Sequence, residues 1–359
     1  MKKISFILPG VSEVPIGGFK IVFEYANRLS KLGYNITIYF PLITTLKNRS
    51  ILRKIKIWKK YYLEKYNKKE YEIKWFDIEK KVKLKVVPTL NEKYIEEADI
   101  IFATARETSK YVNKYLDNKG KKYYLIQGYE NWGCSEAELL ETWKYPLKKI
   151  VISQWLGKIA EKIGEEYSLV YNGLDFEKFK IVKKIEEREN NTILCLYHKE
   201  KIKGFEYGLE ALKSIKKKFG DIKIKCFGVY QRPSDLPEWI EYYYQPSQKE
   251  LNNLYNSSSI FLGTSLGEGW GLTIAEAMQC GCAVICTDVN GYNEMAFDYK
   301  TALLCNSCDS KSMEQKIIEM LKNDELRKNI AKEGNKFIQR FTWEESIFKI
   351  IKIINKNNN

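Results

Sequence analysis

Short apolar runs alternate along this chain with stretches of helical periodicity, and the alternation occurs twice. This pattern is typical of parallel β-sheets covered by helices. In the first half the predicted strands are ISFIL (4–8), NITIYF (35–40), ADIIFAT (98–104), KYYLIQ (122–127) and KKIVIS (148–153). In the second half they are TILCLY (192–197), IKIKCFG (222–228), IEYYYQ (240–245), SIFLGTS (259–265) and AVICTD (283–288). The sequence therefore predicts an α/β protein with two doubly wound, Rossmann-like domains.

The boundary between the halves is predicted in YNGLDFEKF, which supplies turn-forming residues after an apolar run. We expect an N-terminal domain over 1–171 and a C-terminal domain over 172–340. In residues 341–359, Thr342 suits a helix N-cap with a glutamate three positions later, so a helix is expected to pack back across the hinge. Two such domains are expected to face a cleft lined by the carboxyl ends of strands, where ligands of this architecture bind.

The formal charge of +14 favours an anionic partner, which is nucleic acid, a membrane surface or a phosphorylated substrate. Residues 47–69 hold ten Lys or Arg and one Glu, with Ile51, Ile55, Trp58 and Tyr62 at helical spacing. This stretch predicts either a helix that binds an anionic membrane surface or a cap packed on its own domain with a solvated basic face. Nucleic acid suits the charge but not a phosphate-binding architecture, so no nucleic-acid partner is expected.

The N-terminal MKKISFIL is too short for a signal peptide, and no apolar run is long enough to span a membrane. We therefore expect a cytoplasmic protein, peripheral on the inner face of the cell membrane. The eight cysteines are then expected to be reduced. Cys305 and Cys308 form a C-x-x-C, but there is no second pair, and the only histidine is distant, so no metal site is expected.

The segment GEGWGLTIAEAMQCG follows the predicted strand SIFLGTS and joins a glycine-rich loop to the start of a predicted helix. Backbone N–H groups of Leu272 and Thr273 are expected at the helix N-terminus, where they attract an anion. Side chains at Gly269 or Gly271 would occupy the space of the ligand, so glycine lets this backbone approach it closely. The segment therefore predicts an anion-binding loop.

Two carboxylates, Glu268 and Glu276, stand eight positions apart in the same segment. Ionised carboxylates only accept hydrogen bonds, and the hydroxyl groups of a sugar and of a ribose are natural donors to them. A glycosidase would use such a pair as acid and nucleophile. That chemistry does not require a phosphate-binding backbone, and water is its only other reactant, so the loop argues against a glycosidase.

An NAD(P)-dependent oxidoreductase is the alternative, because Asp288 follows the next strand where a ribose-binding carboxylate is expected. The glycine spacing disagrees with it. A G-x-G-x-x-G that begins at Gly267 requires glycine at position 272, which is Leu272. One that begins at Gly269 requires glycine at position 274, which is Ile274. A non-enzymatic module that binds an anionic ligand is a further alternative.

The segment EGWGLTIAEAMQCGCAVICTD resembles the signature of family 4 retaining glycosyltransferases of the GT-B fold, with seven residues between two glutamates. The resemblance extends over nearly the whole chain. IGGFKIVFEYANRLSKLGYNITIYFP is similar to the family's first glycine loop and helix, ISQWLGKIAE and VYNGLDFEKF to its interdomain crossing, and IKGFEYGLEALKSI to its phosphate-binding region. KYYLIQGYENW is similar to a subgroup that builds bacterial surface polysaccharides, including rhamnan-type chains. A hexosyl- or rhamnosyltransferase is implied.

The resemblance also implies roles for individual residues. Glu268 matches the residue that holds hydroxyls of the donor sugar, and Glu276 the residue that holds the ribose of the nucleotide. Lys203 matches the lysine that binds the donor diphosphate, which Gly17 and Gly18 approach from the other domain. The remaining donor contacts implied by the glycine loop are Gly269, Trp270, Gly271, Leu272 and Thr273.

The chain departs from the family where an arginine usually precedes that lysine by five or six positions, since Tyr197 and His198 stand there. His198, Lys199 and Lys201 are alternatives for the missing cation, and the sequence leaves the choice open. Because sugar transfer develops negative charge on the leaving diphosphate, Lys203 and the helix N-terminus are expected to stabilise the transition state without a metal cofactor. Retention of anomeric configuration is implied by the family alone.

The acceptor, a saccharide or lipid-linked saccharide, is expected to bind the N-terminal domain. Gln127, Tyr129, Glu130 and Trp132 follow one predicted strand end, and Arg106 follows another. Structural packing is the alternative role for each of these side chains.

Overall fold

A computed structural model describes residues 2–44, 58–59, 61 and 71–356 of the 359-residue chain. The chain forms two compact units. The first comprises Met1–Tyr171 with Ser346–Asn359, and the second comprises Asn172–Glu345. Residues 341–345 fall in the second unit and residues 346–359 in the first.

The first unit is built on a parallel sheet. Its strands are β1 (Lys3–Ile7), β2 (Asn35–Pro41), β3 (Lys83–Val87), β4 (Ile100–Ala103), β5 (Lys121–Ile126), β6 (Lys148–Val151) and β7 (Tyr167–Leu169). Its helices include α1 (Gly17–Lys31), α2 (Arg106–Val112), α3 (Glu136–Trp143) and α4 (Gln154–Lys162). The strand order is β3-β2-β1-β4-β5-β6-β7, and each neighbouring pair is parallel. The chain thus winds outward from β1 in both directions, as the doubly wound prediction requires.

The second unit repeats this plan. Its strands are β8 (Thr192–Leu196), β9 (Lys223–Gly228), β10 (Ile240–Tyr244), β11 (Ile260–Gly263), β12 (Ala283–Thr287) and β13 (Leu303–Cys305). Its helices are α5 (Phe205–Lys218), α6 (Gln248–Asn256), α7 (Leu272–Gln279), α8 (Ser310–Lys322) and α9 (Asp324–Ile338). The strand order is β10-β9-β8-β11-β12-β13, again all parallel. The order reverses between β8 and β11, where ligands of this architecture bind.

Aromatic side chains form a ladder across the central strands of the first unit. Phe6, Phe102 and Tyr123 are register partners on β1, β4 and β5, and their ring centroids are 4.9 Å and 5.2 Å apart. Burial of each such side chain contributes roughly 1.5–3 kcal/mol. The Tyr123 hydroxyl donates a hydrogen bond to the carbonyl of Ile353 at 3.4 Å. That carbonyl belongs to α10 (Trp343–Asn355), so the C-terminal helix packs near this ladder.

Three strands, β3, β7 and β13, were not predicted from the sequence. Each lies at the edge of its sheet. In β3 (KLKVV), lysine alternates with apolar residues. The strands β7 (YSL) and β13 (LLC) are only three residues long. An edge strand has one neighbour and needs fewer apolar positions, which weakens the sequence pattern. None of the helices in the described parts of the chain is long and apolar enough to cross a membrane.

Candidate active site

The loops after β8 and β11 meet where the strand order of the second unit reverses. Lys203 lies in a short helical turn after β8, and Glu268 lies in the loop after β11. The Lys203 Nζ donates to Glu268 Oε1 at 2.6 Å, although 65 positions separate the two residues. The structure therefore brings two residues predicted for the donor site into one ion pair.

Two hydroxyl side chains orient this pair. Ser265 Oγ donates to Glu268 Oε1 at 2.7 Å, and Thr264 Oγ1 donates to the Lys203 carbonyl at 2.7 Å. The Lys203 side chain is 27% exposed and that of Glu268 is 15% exposed. Because both charges are partly removed from water, their electrostatic interactions with a bound ligand are stronger than at an open surface. The pair is therefore both fixed and accessible.

The turn that presents Lys203 depends on Gly204. This glycine has φ 58°, in the left-handed region, and a Cβ added to it would lie 2.2 Å from the carbonyl oxygen of Thr264. Any other residue would be strained by its φ and would collide with backbone. The two site loops therefore approach each other because position 204 is glycine.

The N-terminus of α7 lies in the same loop as Glu268. Gly271 is its N-cap with φ 106°, no side chain caps the helix, and the N–H of Ala275 donates to the carbonyl of Gly271. The N–H groups of Leu272 and Thr273 are left without partners inside the helix and carry partial positive charge. The helix N-terminus that the sequence predicts here is thus present, and anion binding by it stays a prediction.

Trp270 and Glu276 occupy more enclosed positions than the sequence predicted. The Trp270 side chain is 2% exposed, and its ring packs edge-on against Phe341 with centroids 5.2 Å apart. The indole is therefore a core group, and only the backbone of Trp270 belongs to the glycine loop with Gly269. Glu276 is buried, and its Oε2 accepts a hydrogen bond from the Tyr255 hydroxyl at 3.2 Å.

His198 is not placed as a substitute for an arginine. Its Nδ1 accepts a hydrogen bond from the N–H of Glu200 at 3.1 Å, which assigns the proton to Nε2. Burial, and then the charge of Lys203, lowers the pKa of His198. The imidazole is therefore neutral at pH 7 and can donate a hydrogen bond, but it does not supply a positive charge.

A pocket of about 260 Å³ lies beside the loop after β8. Lys199 and Lys201 both line it, and Lys199 Nζ also lies 4.8 Å from the centre of the Tyr230 ring. Its apolar walls are Tyr197, Phe205, Leu209, Pro233 and Leu236. The lining also includes the carboxylates of Glu200, Glu206 and Asp235, so the pocket combines apolar walls with charges of both signs.

Three loops of the first unit meet at the corresponding reversal, beside β1 and β4. Gly17 and Gly18 begin α1 after the first of these loops. A Cβ on Gly18 would contact the Gln127 side chain at 3.4 Å, and Gln127 Nε2 donates to the carbonyl of Thr104 at 3.4 Å. The predicted phosphate-approaching glycines and the predicted acceptor residue Gln127 therefore lie together.

Arg106 is buried and donates hydrogen bonds to carbonyl and carboxylate groups of its own unit. Its Nη1 donates to the carbonyls of Glu130 at 2.9 Å and Trp132 at 3.1 Å and also contacts Cys134. Its Nη2 donates to Glu107 Oε1 at 2.7 Å. The Arg106 N–H donates to Glu130 Oε2 at 2.6 Å. The guanidinium thus holds the loop after β5, instead of being free to contact an acceptor.

Glu130 and Tyr129 also have partners inside the unit. Burial raises the pKa of Glu130 to about 7, although the N–H and charge of Arg106 act in the opposite direction. The Tyr129 hydroxyl hydrogen-bonds to Glu136, and its ring lies 6.3 Å from those of Trp143 and Trp155. Both side chains therefore support the shape of the loop that the sequence assigned to acceptor binding.

Residues 176–337 match the family model described as Glycosyl transferases group 1. The match lies within the second unit and includes both partners of the Lys203–Glu268 pair. This part of the chain is therefore similar to group 1 glycosyltransferases. In Anabaena HepE, solved in complex with UDP and glucose, the same fold recurs with a TM-score of 0.75 at 14% identity, covering 99% of each chain. This likeness shows the fold, which is GT-B.

Two curated relatives extend the comparison to named glycosyltransferases. A Methanocaldococcus jannaschii protein described as an uncharacterised glycosyltransferase is 27% identical over 211 residues, which cover 57% of this chain and 58% of that protein. The capsular polysaccharide biosynthesis glycosyltransferase CapM of Staphylococcus aureus is 25% identical over 254 residues, covering 63% of this chain and 65% of CapM. In both cases the chain spans less than two thirds of the relative's length.

Several residues of this candidate site were not predicted from the sequence. Thr264 and Ser265 stand directly before the glycine loop, so their position after a strand was a usable signal. Tyr292 is buried beneath Gly271, where a Cβ would meet its ring at 2.6 Å, and Gly291 lies against the backbone of Glu268. Nothing in the local sequence of these last two residues indicates that they support a loop 20 positions or more away.

The basic stretch 47–69 lies mostly outside the described residues. Within it, the rings of Trp58 and Tyr61 lie 6.1 Å and 6.2 Å from that of Tyr94. The Trp58 indole therefore contacts its own unit, as the packed-cap alternative predicts. Of the C-x-x-C pair, Cys305 is buried and Cys308 is exposed. No cluster of three or more potential metal ligands occurs in the described part of the chain.

Proposed function

We propose that this protein is a retaining glycosyltransferase. It transfers a sugar from a nucleotide-sugar donor to a saccharide or lipid-linked saccharide during synthesis of a surface polysaccharide or glycoconjugate. The observation that carries this proposal is the Lys203–Glu268 ion pair beside the uncapped N-terminus of α7. The match of this unit to group 1 glycosyltransferases supports it, as do the complex of HepE with UDP and glucose and the name of CapM.

The proposed chemistry begins at the bond between the anomeric carbon and the diphosphate oxygen. As that bond breaks, negative charge develops on the nucleoside diphosphate. Lys203 and the N–H groups of Leu272 and Thr273 offer positive charge that interacts more strongly with the leaving group than with the intact donor. Glu268 then accepts hydrogen bonds from hydroxyls of the transferred sugar. The nearby pocket lined by Lys199 and Lys201 is the candidate for another part of the donor.

We infer retention from the resemblance to family 4 enzymes. The acceptor oxygen forms its bond to the anomeric carbon on the face from which the diphosphate departs, and the hydroxyl proton passes to a leaving phosphate oxygen. The stabilising charges named above come from the chain, so transfer is expected to need no metal cofactor. The resemblance of KYYLIQGYENW to rhamnan-type enzymes favours a deoxyhexose, and a hexose is the alternative.

We further propose a cytoplasmic enzyme attached peripherally to the inner face of the membrane through residues 47–69. Ten basic residues in this stretch support attraction to anionic lipid. The contact of Trp58 with Tyr94 favours attachment by charge over insertion of this indole.

The test is product analysis with purified protein, UDP-, GDP-, ADP- and dTDP-linked sugars, and free or polyprenyl-linked oligosaccharide acceptors. We expect one donor to be used, with an unchanged anomeric configuration in the product by NMR, and activity to persist in EDTA. An inverted product contradicts retention, and loss in EDTA that magnesium or manganese restores contradicts metal independence. Absence of transfer together with NAD(P)H oxidation would establish the oxidoreductase alternative.

A further inference from the structure

Trp132 is an exposed aromatic side chain on the loop that follows β5. It is 64% exposed, whereas Trp143 and Trp270 are buried. Within the described residues its indole stacks on no other ring and its side chain makes no hydrogen bond. Exposed aromatic groups of this size are common anchors for ligands because they offer a large rigid surface.

The loop that carries Trp132 is firmly held. Arg106 donates from one guanidinium nitrogen to the carbonyls of Glu130 and Trp132, at 2.9 Å and 3.1 Å. The Glu130 carboxylate accepts a hydrogen bond from the backbone N–H of Arg106 at 2.6 Å. A buried arginine with this many local partners fixes the backbone on both sides of Asn131. The exposure of Trp132 is therefore imposed by the structure around it.

The position of the loop points to ligand binding. It follows the carboxyl end of β5, and the side chain of its first residue, Gln127, would lie 3.4 Å from a Cβ added to Gly18. Val11 and Ile16, in the loop after β1, are also exposed, at 39% and 41%. Apolar side chains are thus exposed in loops at the carboxyl ends of the strands, where doubly wound domains bind ligands.

The charge around Trp132 selects among ligands. Glu130 shares its loop, Glu136 and Glu138 begin α3, and Glu107 lies in the first turn of α2. These carboxylates already have partners in their own unit, such as Arg106 for Glu107 and the Tyr129 hydroxyl for Glu136. Their negative charge still opposes an anionic lipid surface or nucleic acid. A neutral ligand with an apolar ring face therefore suits both the indole and its surroundings.

We propose that the Trp132 indole is the surface on which a pyranose ring of the saccharide acceptor stacks, and that Arg106 is the positioning residue that presents it. This inference rests on the proposed glycosyltransferase activity. It assigns acceptor specificity to the carbohydrate portion of the acceptor, whether or not that acceptor carries a lipid.

The test compares Trp132→Ala and Trp132→Phe with Leu116→Ala, using a free oligosaccharide acceptor. Leu116 is a matched control because it is 65% exposed but precedes β5, near the opposite end of that strand from Trp132. Trp132→Ala should raise the acceptor KM about tenfold or more, the scale for loss of an aromatic anchor. The donor KM, and donor hydrolysis without acceptor, should stay unchanged. Trp132→Phe should raise the acceptor KM much less, and Leu116→Ala should leave it unchanged.

The Arg106→Lys variant tests whether Arg106 positions Trp132 or only contributes to folding of the unit. It should raise the acceptor KM while leaving donor hydrolysis unchanged, and it should add little to Trp132→Ala, because both act through one contact. As a measurement independent of turnover, the oligosaccharide should change the tryptophan emission of the wild type but not that of Trp132→Phe.

The outcomes distinguish this inference from the proposed function. Absence of transfer by the wild type overturns both. Transfer by the wild type with an acceptor KM in Trp132→Ala equal to that in Leu116→Ala overturns the stacking role alone. An unchanged acceptor KM combined with loss of binding to phosphatidylcholine vesicles would also overturn it and assign Trp132 to the membrane surface.

Discussion

At the scale of single residues, the ion pair joins Lys203, which we propose binds the donor diphosphate, to Glu268, which we propose binds the donor sugar. Both charges are partly desolvated, so removal of one leaves the other without its closest partner. Ser265 keeps Glu268 oriented through the same Oε1 atom that meets Lys203. A diphosphate that draws Lys203 away therefore leaves the carboxylate in place for the donor sugar.

Lys203→Met and Glu268→Gln should each lower turnover by about a hundredfold or more, the scale for losing one preorganised charged group. Lys223→Met is the control, because Lys223 pairs with Glu189 at the surface of the same unit. Turnover should be measured with the donor identified by product analysis, and urea unfolding should confirm that each variant folds. Near-normal turnover in both site variants would contradict the assignment.

The sequence predicted Lys203 and Glu268 because each lies in a recognisable motif. It did not predict the burial of the Trp270 indole, since a glycine loop indicates backbone approach but not where its one large side chain points. The role of Arg106 also required the structure, because its partners are carbonyl groups more than 20 positions away. Contacts made by the backbone leave no trace in residue type.

At the scale of elements, the turn between β8 and α5 determines how closely the two site loops meet. Its geometry follows from Gly204, whose φ is left-handed and whose missing Cβ makes room for the carbonyl of Thr264. The central strands of both sheets were predicted from their apolar runs, as was the edge strand β10. The short edge strand β7 was not, because three residues give too little pattern to detect. Apolar pattern thus identifies the sheet centre, and this centre carries the site loops.

Gly204→Ala should destabilise the protein by about 2 kcal/mol or more, combining left-handed strain with a collision against backbone. Displacement of the Thr264 carbonyl also disturbs the hydroxyl that holds Lys203, so turnover should fall with stability. Gly220→Ala is the control, because a Cβ there meets nothing within 4 Å. Urea unfolding measures the difference, and equal stability of the two variants would refute the structural role of this glycine.

At the scale of the whole molecule, the surplus of positive charge supports the proposed attachment to an anionic membrane surface. Each Lys or Arg near an anionic bilayer contributes on the order of 1 kcal/mol, and such attraction is screened within about 8 Å at physiological ionic strength. Residues 47–69 hold a large share of these charges, while Trp58 already contacts Tyr94. Attachment to lipid is therefore expected to depend on the basic side chains.

Sedimentation with vesicles should show binding to anionic lipid at low salt, release at high salt, and little binding to phosphatidylcholine alone. Replacing Arg53, Lys54 and Lys56 by glutamate should abolish binding, whereas Trp58→Ala should weaken it only slightly. The same charge change at Lys216, Lys217 and Lys218, in the last turn of α5, is the control. Equal binding to both lipids, or equal loss in both triple variants, would contradict attachment through this stretch.

The division of α10 between the two units has a consequence for biosynthesis. Residues 172–345 form one uninterrupted stretch, whereas the first unit takes its last helix from residues made after all of the second. On the ribosome, the second unit emerges with every strand and helix that it needs. The first unit must wait, and Tyr123 gains its partner at Ile353 only after all of the second unit has been made. The half translated first is therefore the half completed last.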